Sequence, residues 1–251
     1  MNQPLAVQLY SVREQAKENF PAILKIIADI GYCGVEFAGF HGYDIKELSR
    51  CLQDLGLKAI SNHVEMPTKE TITQLSDEAG ILGFNTLISG LRPEDMTINL
   101  FDSSIEKFNL AATLAKMQGM RFCMHNHWWE FDNLIDGKPV FDNIMTRTLD
   151  MFSELDMYWA TSAGAVPSQV LSKWQDRIPL LHVKDGFFTD QISHVAVGQG
   201  KMNFRTILTT DLCKKVEWFI VEIDNCETDV VEAIRQSYRF LVDNHLGVGT
   251  K

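Results

Sequence analysis

Four of the seven histidines and six of the carboxylates in this chain stand in short polar segments. The segments are Ser61-Asn62-His63, His125-Asn126-His127-Trp128-Trp129-Glu130, Leu155-Asp156-Met157-Tyr158-Trp159, His182-Val183-Lys184-Asp185 and Glu222-Ile223-Asp224, with Glu36 inside Val35-Glu36-Phe37. Alternate residues of an extended segment point the same way, so His125 pairs with His127, His182 with Lys184 and Glu222 with Asp224. Imidazoles and carboxylates that converge from several segments make a divalent-metal site, and mixed nitrogen and oxygen ligation suits Mn²⁺, Co²⁺, Mg²⁺ or Zn²⁺. A single Asp or Glu at a strand end more often caps a helix or pairs with Lys or Arg. The recurrence on successive segments is what points to metal. No short ligand motif is present, so the fold must bring the groups together.

The elements that would do so repeat one pattern. Phe20, Ile23, Ile26, Ile27 and Ile30 share a helical face, Gly31 stops the helix, and Val35-Glu36-Phe37 opens a strand. Asn19 is the expected N-cap and Pro21 lies in the first turn. The same sequence of events recurs at Gly56, Gly83 and Gly119. Strands are predicted at Ala6–Tyr10, Val35–Ala38, Lys58–His63, Thr86–Ser89, Arg121–His125, Asp156–Ala160, Leu180–Lys184 and Trp218–Ile223. Eight βα units in 251 residues average about 31 residues each, the size of a (β/α)8 barrel unit. No G-x-G-x-x-G follows the first strand and no P-loop occurs, which disfavours an open doubly wound sheet. With no linker or low-complexity segment, residues 1–251 read as a single (β/α)8 barrel domain. The polar segments then fall at the C-terminal ends of its strands, where such barrels hold their active sites.

Composition removes other classes. The chain is 45% hydrophobic, enough for a large core, and carries a net charge of −10. That charge argues against nucleic acid or an anionic membrane surface as partner. No apolar run reaches bilayer-spanning length, and Met1-Asn2-Gln3-Pro4-Leu5 has no signal-peptide character, so a cytoplasmic location is expected. Cys33, Cys51, Cys123, Cys213 and Cys226 are scattered, as reduced thiols would be.

Taken together, these segments resemble the sugar-phosphate isomerase/epimerase group of xylose isomerase-like TIM barrels, relatives of inosose dehydratases and ketose 3-epimerases. The resemblance runs through Gln8-Leu9-Tyr10-Ser11-Val12-Arg13, Gly34-Val35-Glu36-Phe37-Ala38-Gly39, His125-Asn126-His127 with Glu130-Phe131, Leu155–Trp159, Asp176-Arg177-Ile178-Pro179-Leu180-Leu181-His182-Val183-Lys184-Asp185, Val197-Gly198-Gln199-Gly200 and Val221-Glu222-Ile223-Asp224. It implies one divalent metal ion per chain, Mn²⁺ first among the choices, held by Glu130, Asp156, His182 and Glu222. Glu130 lies past its strand, and His125 or His127 could take its place. Gly198-Gln199-Gly200 stands where the group has Gly-Glu-Gly, and Ser162 where relatives often carry a basic residue.

The expected chemistry is isomerisation or epimerisation of a sugar or keto-polyol. The metal stabilises an enediolate, and Glu130 and Glu222 remove and return the proton α to the carbonyl. Glu36, His63, His127, Lys184 and Trp159 are expected to contact the substrate, and Gly198 and Gly200 to offer an anion pocket or a plain turn. The partner is thus a small-molecule sugar or polyol, with a homo-oligomer allowed. An inosose-type dehydratase on the same scaffold, or a sugar-binding barrel without catalysis, are the alternatives. An endonuclease IV-like reading needs more histidines and a basic face.

Overall fold

Each major helix buries the face its apolar spacing defines. α1 (Arg13–Ile30) buries Phe20, Ile23, Leu24, Ile27 and Ile30, and α2 (Ile45–Leu55) buries Leu48 and Leu52. α1 breaks at Asn19, whose φ of −157° is not helical, and the Asn19 Oδ1 accepts from the Ala22 N–H at 3.1 Å. Asn19 is therefore an N-cap, as its sequence context predicts, of a second helical stretch that α1 resumes through Pro21. Asp44 caps α2 by accepting from the N–H groups of Lys46 and Glu47. Gly31, Gly56 and Gly83 close α1, α2 and α3 (Ile72–Leu82) in the left-handed conformation, which costs other residues a steric penalty. α4 (Phe101–Met117) completes the first half.

The computed structural model describes residues 3–97, 100–189 and 193–251. Met1 and Asn2, part of the N-terminal stretch considered above, lie outside the described residues. The barrel strands are β1 (Leu5–Gln8), β2 (Gly34–Phe37), β3 (Lys58–His63), β4 (Thr86–Ser89), β5 (Arg121–His125), β6 (Phe152–Asp156), β7 (Leu180–Val183) and β8 (Trp218–Val221). All eight pair in parallel in chain order, and β8 returns to β1 to close the barrel. No helix among the described residues is long and apolar enough to cross a membrane.

Ala6–Tyr10, Val35–Ala38, Leu180–Lys184 and Trp218–Ile223 are each met to within two residues at either end, and one strand departs further. The sixth strand is Phe152–Asp156, one turn earlier than Asp156–Ala160, and Met157–Ser162 forms a helix instead, α7. Asp156 is the reason. Its Oδ1 accepts from the Trp159 N–H at 2.9 Å and starts the helix at the point where the apolar run had suggested extended chain. In between, α5 (Trp129–Asp132) and α6 (Val140–Arg147) follow β5. After α7 come α8 (Pro167–Trp174), the short α9 (Arg205–Leu208) and α10 (Val230–Asp243).

Inside the barrel the side chains are layered. Ala6, Ile60, Ile88, Cys123, Leu180 and Ile220 make an apolar floor that is separate from the larger core between strands and helices. One step nearer the C-terminal mouth, the inward positions turn polar. Gln8, Glu36, His125, Glu154, His182 and Glu222 are all buried there. The floor excludes water from below, so these groups must satisfy one another or a ligand from above.

The Gly198–Gly200 turn is occupied from within. The Asp185 carboxylate accepts from the N–H groups of Gly186 (2.9 Å), Gly198 (2.8 Å), Gly200 (3.0 Å) and Met202 (3.1 Å). A Cβ on Gly200 would sit 2.2 Å from Asp185 Oδ1. The anion pocket considered from sequence is therefore a socket for the chain's own carboxylate. Asp185→Ala leaves four N–H groups without their charged acceptor and should cost about 3 kcal/mol of stability. Asp185→Asn should recover only part of that. Denaturant titration of the two variants measures both losses.

Candidate active site

The polar layer has two tiers that meet at His182. In the upper tier, the His182 Nδ1 lies 2.7 Å from Glu222 Oε2 and 3.9 Å from Asp156 Oδ2. The Lys184 ammonium reaches the same carboxylates, at 2.7 Å from Glu222 Oε2 and 3.0 Å from Asp156 Oδ2, and donates to Asp224 Oδ2 at 2.8 Å. In the lower tier, the His182 Nε2 lies 2.8 Å from Glu36 Oε1 and 3.2 Å from Glu154 Oε2. Glu36 also accepts from Gln8 Nε2 at 2.7 Å and from the Ser61 hydroxyl. The His63 Nε2 stands 3.1 Å from Glu36 and 2.9 Å from Glu154, and the His125 Nδ1 stands 3.0 Å from Glu154.

These contacts set the charge states. Burial resists ionisation of Glu222, but Lys184 and His182 hold it well below the usual carboxylate range. Burial likewise opposes charge on Lys184, and Asp156, Asp224 and Glu222 outweigh it and push the ammonium further up. Burial would lower His63, yet Glu36 and Glu154 raise it to about 10, and Glu154 and Glu222 raise His182 against the same penalty. His125 goes the other way: burial first, then the neighbouring imidazoles, keep it neutral. Burial and then Lys184 bring His127 down to about 3. Neutral imidazoles are what metal ligation and proton abstraction require.

A cavity of about 320 Å³ opens over the upper tier, at the small end of small-molecule sites. Tyr10, Ala38, His63, Gly90, His125, His127, Lys184, Glu222 and Asp224 line it. Of the residues expected from sequence to touch substrate, His63, His127 and Lys184 face this space. Two do not. Glu36 is fully buried beneath His63 and His182. Trp159 packs against Trp128, Tyr158 and His194, with the Lys184 ammonium 5.3 Å from its ring centroid.

The expected ligands are brought together except for one. Donor atoms of His125, Asp156, His182 and Glu222 all lie within 4.8 Å of one another. Glu130 stands apart from that group because α5 turns it away from the cavity. It is fully buried, and its Oε2 accepts from the His127 N–H at 2.8 Å. His125, held open as the alternative at this strand, is the fourth member. The set of two imidazoles and two carboxylates fits a divalent ion by its chemistry. Residues with buried polar atoms that lack a hydrogen-bond partner also gather here: His127 (Nδ1), Trp159 (Nε1) and Glu154 (Oε1). Glu154 is the residue that sequence reasoning missed. The displaced sixth strand hid it, although Glu154 and Asp156 are two apart and so share a face of Phe152–Asp156.

Glu130 gives this site a pH signature. Burial pushes its carboxyl up from 4.5 to about 8, with the Asp156 charge adding to that and the His127 N–H opposing it. Between those values the folded state keeps a proton that the unfolded state has lost, so stability falls as pH rises from about 4.5 to about 8. In chelator-treated protein, Glu130→Gln should flatten that fall by an amount on the order of a few kcal/mol. Melting curves between about pH 5 and 8.5 test it, and equal slopes in both proteins would assign Glu130 an ordinary carboxyl.

No protein-family model matches the chain, and no curated protein sequence matches it. Solved structures do. A sugar phosphate isomerase/epimerase from Parabacteroides distasonis superposes with a TM-score of 0.83 at 22% identity, over 99% of this chain and 100% of that one. The IolI protein with a bound zinc atom gives 0.73 at 14%, over 96% and 97%. L-ribulose 3-epimerase gives 0.72 at 15%, over 97% and 94%. With the closed barrel of eight parallel strands, these likenesses show that the chain has the (β/α)8 TIM-barrel fold of these proteins.

Proposed function

We propose that this protein is a divalent-metal-dependent isomerase or epimerase of a sugar or keto-polyol, with residues 1–251 acting as one barrel domain. The observation that carries the reading is the buried group His125, Asp156, His182 and Glu222 beneath a cavity at the C-terminal mouth of the barrel. A metal held by these four, with Mn²⁺ suited to the mixed donor set, would supply Lewis-acid polarisation of a carbonyl and its neighbouring hydroxyl. The solved structures of similar fold that act on sugars support this choice of substrate class.

The chain's own groups divide the remaining work. Glu222 reaches the cavity as an ionised carboxylate and is placed to take the proton α to a substrate carbonyl. His127 stands on the cavity wall, neutral and with Nδ1 unpartnered, and is placed to accept a proton there, while Glu222 is the group that gives back the proton it takes. His127 assumes the second acid/base role that the sequence had suggested for Glu130, whose contribution becomes the position of the His127 backbone. Lys184 and His63 offer donors to substrate hydroxyls. Lys184 is the only Lys or Arg lining the cavity among the described residues, and three carboxylates already engage it. An unphosphorylated substrate follows from that lack of a spare cation.

The test is deuterium incorporation at the carbon next to the carbonyl, followed by NMR, with unphosphorylated ketoses, inososes and Mn²⁺-loaded protein in D₂O. Glu222→Gln should slow exchange by roughly 10²–10⁴-fold. His127→Gln should slow it less if it serves only one direction of transfer. Undiminished exchange in Glu222→Gln, or in protein stripped of metal, would overturn the reading.

A further inference from the structure

The lower tier carries two carboxylates, Glu36 and Glu154, that the proposed reaction does not use. Glu36 and Glu154 are both fully buried, and among the described residues neither is paired with a Lys or Arg. Their ionisable basic neighbours are imidazoles alone: His63 and His182 for both carboxylates, and His125 for Glu154. The upper tier differs, because the Lys184 ammonium sits between its carboxylates. Two buried carboxylates need a compensating positive charge, and here no permanent one is supplied.

Hydrogen bonding does not complete the arrangement. Three ring N–H groups, on His63 Nε2, His125 Nδ1 and His182 Nε2, would have to serve five N···O approaches of 2.8–3.2 Å. Glu154 Oε1 still lacks a partner. The same spacing has another source. Metal–ligand bonds of about 2.0–2.2 Å at tetrahedral to octahedral angles hold ligand atoms roughly 3.0–3.5 Å apart. Glu154 Oε2 lies 2.9, 3.0 and 3.2 Å from His63 Nε2, His125 Nδ1 and His182 Nε2. Donor atoms of these four residues all lie within 4.8 Å of one another.

We infer that His63, His125, Glu154 and His182 form a second divalent-cation site, deeper in the barrel than Asp156 and Glu222. Three imidazoles and one carboxylate favour Zn²⁺ or Co²⁺ over Mg²⁺ or Ca²⁺. Glu36 stands beside the same ring nitrogens, with Oε1 3.1 Å from His63 Nε2 and 2.8 Å from His182 Nε2, and is itself fixed by Gln8 and Ser61. Entry is open, because His63 and His125 line the cavity and the His63 side chain is 26% exposed. His182 serves both tiers through different nitrogens, Nδ1 above and Nε2 below. The deeper site does not depend on the proposed reaction, since its distinguishing members, His63 and Glu154, are not ligands of the upper group.

The experiment separates the two sites. Asp156→Asn/Glu222→Gln removes both carboxylates of the upper group, and Asn can still cap α7. This variant should bind close to one Co²⁺ per chain, with the intense visible bands of a four-coordinate nitrogen-rich ion. Adding His63→Ala should weaken Co²⁺ and Zn²⁺ binding by about tenfold or more, measured by chelator competition. If the double variant does not give a native circular dichroism spectrum, Glu222→Gln alone takes its place. A natively folded upper-site variant that binds no Co²⁺ would overturn the deeper site, and so would an affinity unchanged by His63→Ala. Failure of the sugar reaction in wild-type protein that still shows this Co²⁺ spectrum would count against the proposed function and leave the site standing.

Discussion

The His182 imidazole is fully buried and both of its nitrogens are engaged, with Glu222 at 2.7 Å on one side and Glu36 at 2.8 Å on the other. Its position couples two sets of carboxylates that would otherwise repel one another across the barrel. A hydrophobic residue there would take a basic partner from each of Glu36, Glu154 and Glu222 in a space with little water. The neighbouring strands are set accordingly. β6 is registered so that Asp156 faces His182, and β8 so that Ile220 faces it and Glu222 follows two residues on. The order of strands and the order of charges are thus one requirement.

The apolar floor makes that requirement strict. Ala6, Ile60, Ile88, Cys123, Leu180 and Ile220 fill the N-terminal half of the interior and close it to solvent. Polar groups above the floor can only look inward to each other or outward to the mouth. The outcome is a graded interior: hydrocarbon, then imidazole with carboxylate, then an ammonium held by three carboxylates, then the cavity. The grading explains the opposed shifts of neighbouring histidines. His63 and His182 each sit against two or more carboxylates and gain protons, whereas burial, with positive neighbours adding to it, takes them from His125 and His127.

Much of this could be read before the fold was seen, for identifiable reasons. Helices that end at glycine and are followed by β-rich runs specify alternation, and the bounds of β3, β4 and β5 coincide with those expected. Asp156, His182, Glu222, His63 and Lys184 were legible because each follows an apolar run that ends at the mouth. Glu154 was not, because an Asp that begins a helix and an Asp that ends a strand look alike in Leu155-Asp156-Met157. Only the hydrogen bond to the Trp159 N–H decides between them. Glu130 shows the converse. Its residue type fits ligation, but a single turn of helix after β5 decides its direction, and local spacing does not encode that turn.

The Asp185 socket has a bearing on what the mouth of this barrel admits. Four backbone N–H groups that converge on one point form a receptor for an oxyanion, and in this chain the receptor is sealed by a tethered occupant. A free phosphate or carboxylate arriving from solution would have to evict a group whose effective concentration is fixed by covalent attachment and which keeps all four bonds without losing translational freedom. This one receptor is thereby closed to a free anion by self-occupancy and not by repulsion.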